Sequence, residues 1–436
     1  MKSIDKIPIS KIERASKLIK TGAKLGVNYV KYYGDKVTKT EAEAKANLDR
    51  NNAEDIYDSL KDLKGSALKV AQMLSMEKNI LPAAYVDKFS LSQFSVPPLS
   101  APLVTKTFKT YFGKDPKQLY DVFDLEARNA ASIGQVHYAE KDGKKLAVKI
   151  QYPGVADSIS SDLAMVKPVA MKILNLKGKD SERYFKEVED KLLEETDYKL
   201  ELTQSNEIVA ACKHIPGIVF PRYYEELSSE RIITMDWMEG EHISTFAEKN
   251  TDKAAANKIG QALWDFYMFQ IHELKKVHAD PHPGNFLISK NLDIVALDFG
   301  CMKIIPENFY VPYFELAKLE TIANEAEFAE KMYTLEILRE DDSPEEKAFF
   351  IKMFRDLLTV FSRPFHQESF NFGDQSFFDE IAKLAEGLAK NAALRKMNAN
   401  RGSKHFIYMN RTFFGLYSLL NQLGANDIKI NNFKNL

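Results

Sequence analysis

Residues 278–285 read HADPHPGN, and thirteen residues beyond Asn285 the apolar run DIVALDFG (293–300) ends in Asp298-Phe299-Gly300. Pro281 and Pro283 forbid a regular helix through the first string, because each removes a backbone donor and fixes φ, so the string is a loop. The residues that follow, FLISKNLDIVAL, predict strand, turn and strand, with Asp298 at the end of the second strand. Asp280, Asn285 and Asp298 are carboxylate and amide oxygen donors, the ligand type a hard cation such as Mg²⁺ prefers over nitrogen or sulfur. His278 and His282 stand four apart, a zinc spacing on a helix, but the prolines deny them that helix. Singly each string is ordinary: any strand can end in a turn, and a proline-rich loop is commonly only a stiff connection.

What lies upstream raises their meaning. IGQVHYAE (133–140) and KLAVKIQY (145–152) are rich in β-branched and aromatic residues and flank the turn residues KDGK, which predicts a hairpin with Lys149 on its second strand. Before it, NAASIGQVH (129–137) offers Ala130, Ala131 and Ser132, small side chains that let backbone N–H groups approach phosphate oxygens, though less permissively than glycine. Residues 181–213 predict one long charged helix. In it Glu194, Asp197 and Glu201 fall three and four apart on one face, and Glu201, Glu195 and Asp197 are candidate partners for Lys149. GIVFPRYYEEL and RIITMDWM predict two further strands, the second running through Met238 into Gly240. Phosphate loop, strand lysine, carboxylate helix, Asp-x₄-Asn loop and Asp-Phe-Gly follow in the order of a protein kinase, with Met238 where a kinase has its adenine-side hinge. The order is far more specific than any one member.

The strings also resemble the UbiB-like, AarF-like atypical kinases of ubiquinone biosynthesis, whose hallmarks are KxGQ, AAASIGQVH, VKIQYPGV, ExDY and HADPHPGN. The resemblance covers about residues 56–300 and, more loosely, NRTFFGLYSLLNQLGA near the C-terminus. It implies an α+β, bilobal protein-kinase-like fold with an N-terminal helical extension over the active site, and ATP hydrolysis with Mg²⁺ rather than ordinary protein phosphorylation. By position it implies Lys149 as the nucleotide lysine, Glu201 as its ion-pair partner, Asp280 as the catalytic-loop aspartate, and Asn285 and Asp298 as metal ligands. Lys69 and Gln72 of the KxGQ-like helix, with Glu195 and Asp197 of the ExD pair, would cover the site where a peptide would otherwise lie. Two positions depart from the pattern: Ala71 stands for the glycine of KxGQ, and Asn129 for the first alanine of the alanine-rich string.

The bulk numbers agree with a globular chain. Of 436 residues, 45% are hydrophobic and 28% charged, and the net charge of −2 supplies no field to draw nucleic acid. Cys212 and Cys301 form no CxxC pair, so a disulfide framework is not expected and a reducing compartment fits. The opening residues lack a signal peptide's apolar core, and no apolar run reaches the roughly 18 residues of a span, so a cytoplasmic location, with peripheral membrane contact at most, is expected. Residues 1–40 hold ten Lys/Arg against three acidic residues, with Ile12, Leu18, Ile19, Leu25 and Val30 at roughly helical spacing. Such a helix either lies on an anionic membrane or packs its apolar stripe on the protein; the second is favoured because charge runs usually mark solvated faces.

The expected organisation is a helical extension over residues 1–120, a kinase-like N-lobe over 121–240 and a mostly helical C-lobe over 241–436. The expected function is ATP hydrolysis assisting metabolism of an isoprenoid quinone or related lipid. A small-molecule or lipid kinase and a catalytically silent nucleotide-binding scaffold are the alternatives. The acceptor, partners and oligomeric state are not legible.

Overall fold

The computed structural model describes residues 11–63, 83–90, 98–131, 133–174, 179–390 and 401–430. Lys69, Ala71, Gln72 and Ser132 lie outside these residues. The fold is α+β and protein-kinase-like, and the chain divides into two compact units: residues 1–203 with 222–237, and residues 204–221 with 238–436.

In the first unit, α1 (Lys11–Thr38) and α2 (Glu41–Leu63) pack as a pair, followed by α3 (Ala83–Ser90) and α4 (Ala101–Phe112), which ends at Gly113 in the left-handed conformation. Between α1 and α2 the Asn28 amide donates to Asn52 Oδ1 at 3.1 Å and Asp55 Oδ2 at 2.8 Å. Among the described side chains of α1, Thr21 and Asn28 are buried and Leu25 is half-buried, while Val27, Val30 and Tyr33 are 54%, 73% and 66% exposed; the side chains of Ile12, Leu18 and Ile19 lie outside the described residues. The expectation that Val30 belongs to a packed apolar stripe is corrected: Val30 faces solvent, and the buried residue two positions before it, Asn28, is held by the hydrogen bonds to Asn52 and Asp55.

The sheet of this unit runs β1 (Val122–Phe123), β3 (Gly134–Lys141), β4 (Lys144–Gln151), β6 (Ile232–Asp236), with β2 (Asn129–Ala131) paired to β3. The KDGK turn is as expected, with Asp142 and Gly143 both at positive φ, the two-residue connection whose twist suits a hairpin. Gly134 is required by space: a Cβ there would sit 2.3 Å from the carbonyl oxygen of Ile150.

After α5 (Val155–Leu174), the long helix expected over 181–213 is two helices, α6 (Lys179–Thr196) and α7 (Tyr198–Cys212). Asp197 breaks it by turning its side chain onto the Leu200 N–H at 3.0 Å as the N-cap of α7. The freed Thr196 carbonyl accepts from Gln151 Nε2 (3.0 Å) and Arg231 (2.6 Å). The shared face of Glu194, Asp197 and Glu201 does not survive the break. GIVFPRYYEEL is corrected too: only β5 (Ile218–Val219) is strand, and it pairs parallel to Ile294–Val295 in the second unit's sheet, whereas Ile232–Asp236 pairs with β4.

The second unit holds the sheet β5-β10-β9-β7, with β7 (Glu241–His242), β9 (Phe286–Ile288) and β10 (Ile294–Ala296), and the pair β8 (Lys276–His278) with β11 (Met302–Ile304). Among its helices, α8 (Ile243–Lys249) precedes α9 (Lys253–His272), whose Trp264, Phe266, Tyr267 and Met268 are wholly buried. Then come α10 (Glu307–Leu316), α11 (Leu319–Ala323), α12 (Glu325–Thr334), α13 (Pro344–Phe361), α14 (Gln375–Lys390) and α15 (Lys404–Gln422). Among the described residues no helix is long and apolar enough to cross a membrane.

His272 closes α9 just before β8. Its Nδ1 shares a 2.9 Å hydrogen bond with the Tyr310 hydroxyl and its ring packs on Phe314, and burial, reinforced by Lys275, lowers its pKa to about 3. A histidine held neutral in the fold contributes stability in full above its unfolded pKa near 6.5, and loses it as pH falls from there toward 3. This group alone predicts a loss of about 2 kcal/mol between pH 7 and pH 5. In urea titrations at the two pH values, His272→Gln should show a shallower pH dependence than wild type; identical dependences would refute the assignment.

Candidate active site

The loop 278–285 is held at both ends by the segment that carries Asp298. On one side His278 pairs with Met302 across β8 and β11, and the Ala279 N–H donates to the Cys301 carbonyl at 2.9 Å. On the other, the Leu297 N–H donates to the Asn285 carbonyl at 3.1 Å. Asp298 lies between these attachments, its Oδ1 accepting the Gly300 N–H at 2.9 Å. Within the loop the Asp280 carbonyl accepts from the His282 N–H at 2.7 Å and from Asn285 Nδ2 at 3.0 Å. That last bond engages the Asn285 amide nitrogen, leaving Oδ1 as the acceptor atom of the side chain. Asp280, Asn285 and Asp298 are all half-buried, and the arrangement brings two carboxylates and one amide oxygen onto a single backbone-locked frame.

The two histidines have structural tasks. His278 is buried, its ring edge-on to Phe299 at 5.8 Å and its Nδ1 3.5 Å from the Tyr267 hydroxyl, and its backbone N–H donates to Gln270 Oε1 at 2.9 Å. His282 Nδ1 accepts the Gly284 N–H at 3.0 Å, capping the turn Pro283–Asn285. Burial, then the charges of Asp280 and Cys301, push the Tyr267 phenol well above its ordinary range, so it keeps its proton. Tyr267 and Gln270 were not picked out from the sequence; polar groups on the apolar stripe of 254–276 were the signal for them.

The other candidate residues are in the first unit. Lys149 on β4 is 8% exposed and its Nζ lies 2.7 Å from Oε1 of Glu201, itself 4% exposed, on the first turn of α7. The same ammonium lies over the Tyr198 ring at 5.0 Å, a favourable cation–π position. Of the three carboxylates considered for Lys149, Glu201 makes the pair, and Asp197 instead caps its helix. Glu195 is half-buried in the last turn of α6. Tyr198 was missed as a site residue although it closes the quoted ExDY string.

The phosphate-loop string is a hairpin. Asn129, Ala130 and Ala131 pair antiparallel with Val136, Gln135 and Gly134. Gln135 and His137 point inward. The Leu99 N–H donates to Gln135 Oε1 (2.7 Å), Gln135 Nε2 meets His137 Nε2 (2.7 Å), and His137 Nδ1 donates to the Asp124 carbonyl (2.8 Å). Burial lowers the His137 pKa. These two residues of the motif thus pin the chain before α4 to the sheet. Met238, next after the Trp237 whose N–H donates to the Lys145 carbonyl at 2.9 Å, is half-buried and opens the second unit. A Cβ on Gly240 would come within 2.8 Å of Leu287 Cβ.

Residues 91–332 match the family described as ABC1 atypical kinase-like domain. The chain is 28% identical to the mitochondrial atypical kinase COQ8 of Saccharomyces cerevisiae over 96% of its length and 83% of that protein's. It is 25% identical to the probable serine/threonine-protein kinase abkA of Dictyostelium discoideum, over 99% of its length and 80% of that protein's. A solved structure, that of Rv3197 from Mycobacterium tuberculosis in complex with erythromycin, aligns with a TM-score of 0.61 at 21% identity, covering 90% of this chain and 97% of that one, and shares the fold.

Removing one partner of a buried ion pair strands the other charge, at a cost of about 3–5 kcal/mol, whereas replacing both with apolar groups is close to neutral. In urea denaturation Lys149→Met should therefore lose about 3 kcal/mol. The Lys149→Met/Glu201→Leu double variant should regain most of it while failing to bind nucleotide. Additive losses in the double variant would show that the two groups are not coupled.

Proposed function

The chain belongs to the ABC1 atypical kinase-like family, and from that premise we propose that it binds Mg-ATP and hydrolyses it in support of isoprenoid quinone or related lipid metabolism. The observation that carries this reading is the backbone-locked set of Asp280, Asn285 and Asp298. Its oxygen donors fit Mg²⁺ and not a softer metal, and Asn285 and Asp298 are the residues that would hold the ion. Bound there, Mg²⁺ would neutralise charge on the β and γ phosphates.

The chain's own groups account for the remaining tasks. Lys149 is assigned to the α and β phosphates, and Glu201 and the Tyr198 ring hold its ammonium in one place so that it does not reorganise when the nucleotide arrives. Ala130, Ala131 and Ser132 are assigned to the phosphates, and Met238 to the adenine. The Asp280 carboxylate accepts a hydrogen bond from water and orients it for in-line attack. With a hydroxyl in place of that water the same residues make a lipid or small-molecule kinase. Lys69, Gln72, Glu195 and Asp197 are proposed to cover the site; for Asp197 the N-cap bond to Leu200 gives a second, structural task.

Contact with a lipid surface is part of the proposal, and α1 supports it. Exposed Val27, Val30 and Tyr33 flank the exposed Lys20 and Lys31, the composition of a helix that lies in an anionic interface. The relatives' names speak of kinases, of serine/threonine-protein kinase for abkA and of mitochondria for COQ8.

Wild type should release phosphate from ATP only with Mg²⁺, and Asp298→Asn should lower the rate at least about 100-fold while nucleotide still binds. Nucleotide binding with no turnover in wild type would establish the silent scaffold instead. Vesicles containing anionic phospholipid should raise the wild-type rate, and label from γ-labelled ATP appearing in extracted lipid, rather than as free phosphate, would replace hydrolysis by a lipid kinase.

A further inference from the structure

The string NRTFFGLYSLL (410–420) has no task in the reading above, yet its glycine touches the catalytic loop. Gly415 lies in the interior of α15, where glycine weakens a helix relative to alanine. A Cβ on it would fall 2.3 Å from Pro281 Cγ, 3.2 Å from Pro281 Cβ and 3.3 Å from the Pro281 carbonyl oxygen. A proline ring is tied to the backbone at both ends, so it cannot swing aside as a lysine tip could. Gly387, in α14, would meet nothing within 4 Å.

The helix cannot yield either. Phe406, Met409, Phe413, Leu416, Tyr417 and Leu420 are buried along it. Ser403 caps its start, accepting the Phe406 N–H at 3.3 Å. The Tyr408 hydroxyl donates to the Ile304 carbonyl of β11 at 2.5 Å, and the Tyr313 hydroxyl of α10 donates to Asn410 Oδ1 at 2.9 Å. The helix is thus fixed to the strand that follows Asp298, and Pro281 rests on it at the one position without a side chain.

We propose that Gly415 is a positioning residue: it seats Pro281 and thereby sets where the Asp280 carbonyl, and the Asn285 amide bonded to it, stand. Pro281 follows Asp280 directly, and the Asp280 carbonyl is the acceptor for both the His282 N–H and Asn285 Nδ2. A push on the Pro281 ring therefore moves the acceptor that orients the Asn285 amide, and with it the backbone that carries the Asp280 carboxylate. The inference rests on the proposed roles of Asp280 and Asn285.

The test is a cycle on the full chain with Gly415→Ala, Pro281→Ala and the double variant, and Gly387→Ala as the control for adding a methyl to a helix. Gly415→Ala should lower kcat for phosphate release about 100-fold, the scale of a 1 Å misplacement of a reacting group, with the KM for ATP little changed. Adding Pro281→Ala, which removes the atom that is struck, should restore most of the loss, and Gly387→Ala should leave the rate at wild type. Wild-type kcat in Gly415→Ala, or a loss that Pro281→Ala does not relieve, would overturn the proposal. Should Gly415→Ala fail to fold, the double variant must fold, and its failure to do so also overturns the proposal. A wild type without turnover would refute the proposed function separately; the seating is then read by Mn²⁺ titration in the presence of ADP, where Gly415→Ala must weaken the metal and the double variant recover it, and equal affinities would refute the seating.

Discussion

An ammonium and a carboxylate buried 2.7 Å apart organise the first unit. Removing two charges from water is costly, and their attraction offsets the cost only if the geometry is good and the remaining protons and lone pairs find partners. Lys149 and Glu201 come from a strand and a helix 52 residues apart, so everything that fixes that helix on that strand serves the pair. Asp197 starts α7, the Thr196 carbonyl is tied to Gln151 and Arg231, and Tyr198 lies beneath the ammonium. The absence of a Cβ on Gly134 lets β3 lie against Ile150, one residue from Lys149. The conversion of one charged helix into two is the consequence: an unbroken helix would have no cap at Asp197 and no open carbonyl at Thr196.

The second unit solves a different problem with a different force. Its three oxygen donors are placed by main-chain hydrogen bonds, Ala279 to Cys301 and Leu297 to Asn285, which tie two stretches of chain at fixed register. Strand register is set by backbone geometry, so side-chain positions follow with little freedom. His278, Phe299, Tyr267 and Gln270 are buried around this frame, and Gly415 of α15 meets it at Pro281. Pre-organisation of this kind matters for phosphoryl transfer, where the protein does little covalent chemistry and acts by positioning and charge.

Much of this was legible along the chain. The KDGK turn, the strand bearing Lys149, the loop 278–285 and the strand ending in Asp298 all follow from turn residues, prolines and β-branched runs, which act over a few neighbours. The choice of Glu201 among three carboxylates came from resemblance, and its geometric reason appeared only once the strand and helix were together. What could not be read was whatever depended on distant partners. Asp197 stood as a candidate partner for Lys149 until its own helix break made it a cap, and Gln135 and His137 were two more residues of a strand until Leu99 and Asp124 were beside them. Val30 looked like packing until the fold left it facing solvent.

The sequence by itself determined the order of the elements and the chemistry of the oxygen donors, because residue type and local spacing carry both. Only the tertiary structure decided which carboxylate meets Lys149, which way the Asn285 amide faces, and why position 415 has no side chain. Lys149 and Glu201 stand 52 residues apart and position 415 meets Pro281 across more than a hundred residues, while the Asn285 amide meets the Asp280 carbonyl inside a loop that distant strands hold at both ends; close packing, not local propensity, sets which atoms meet there.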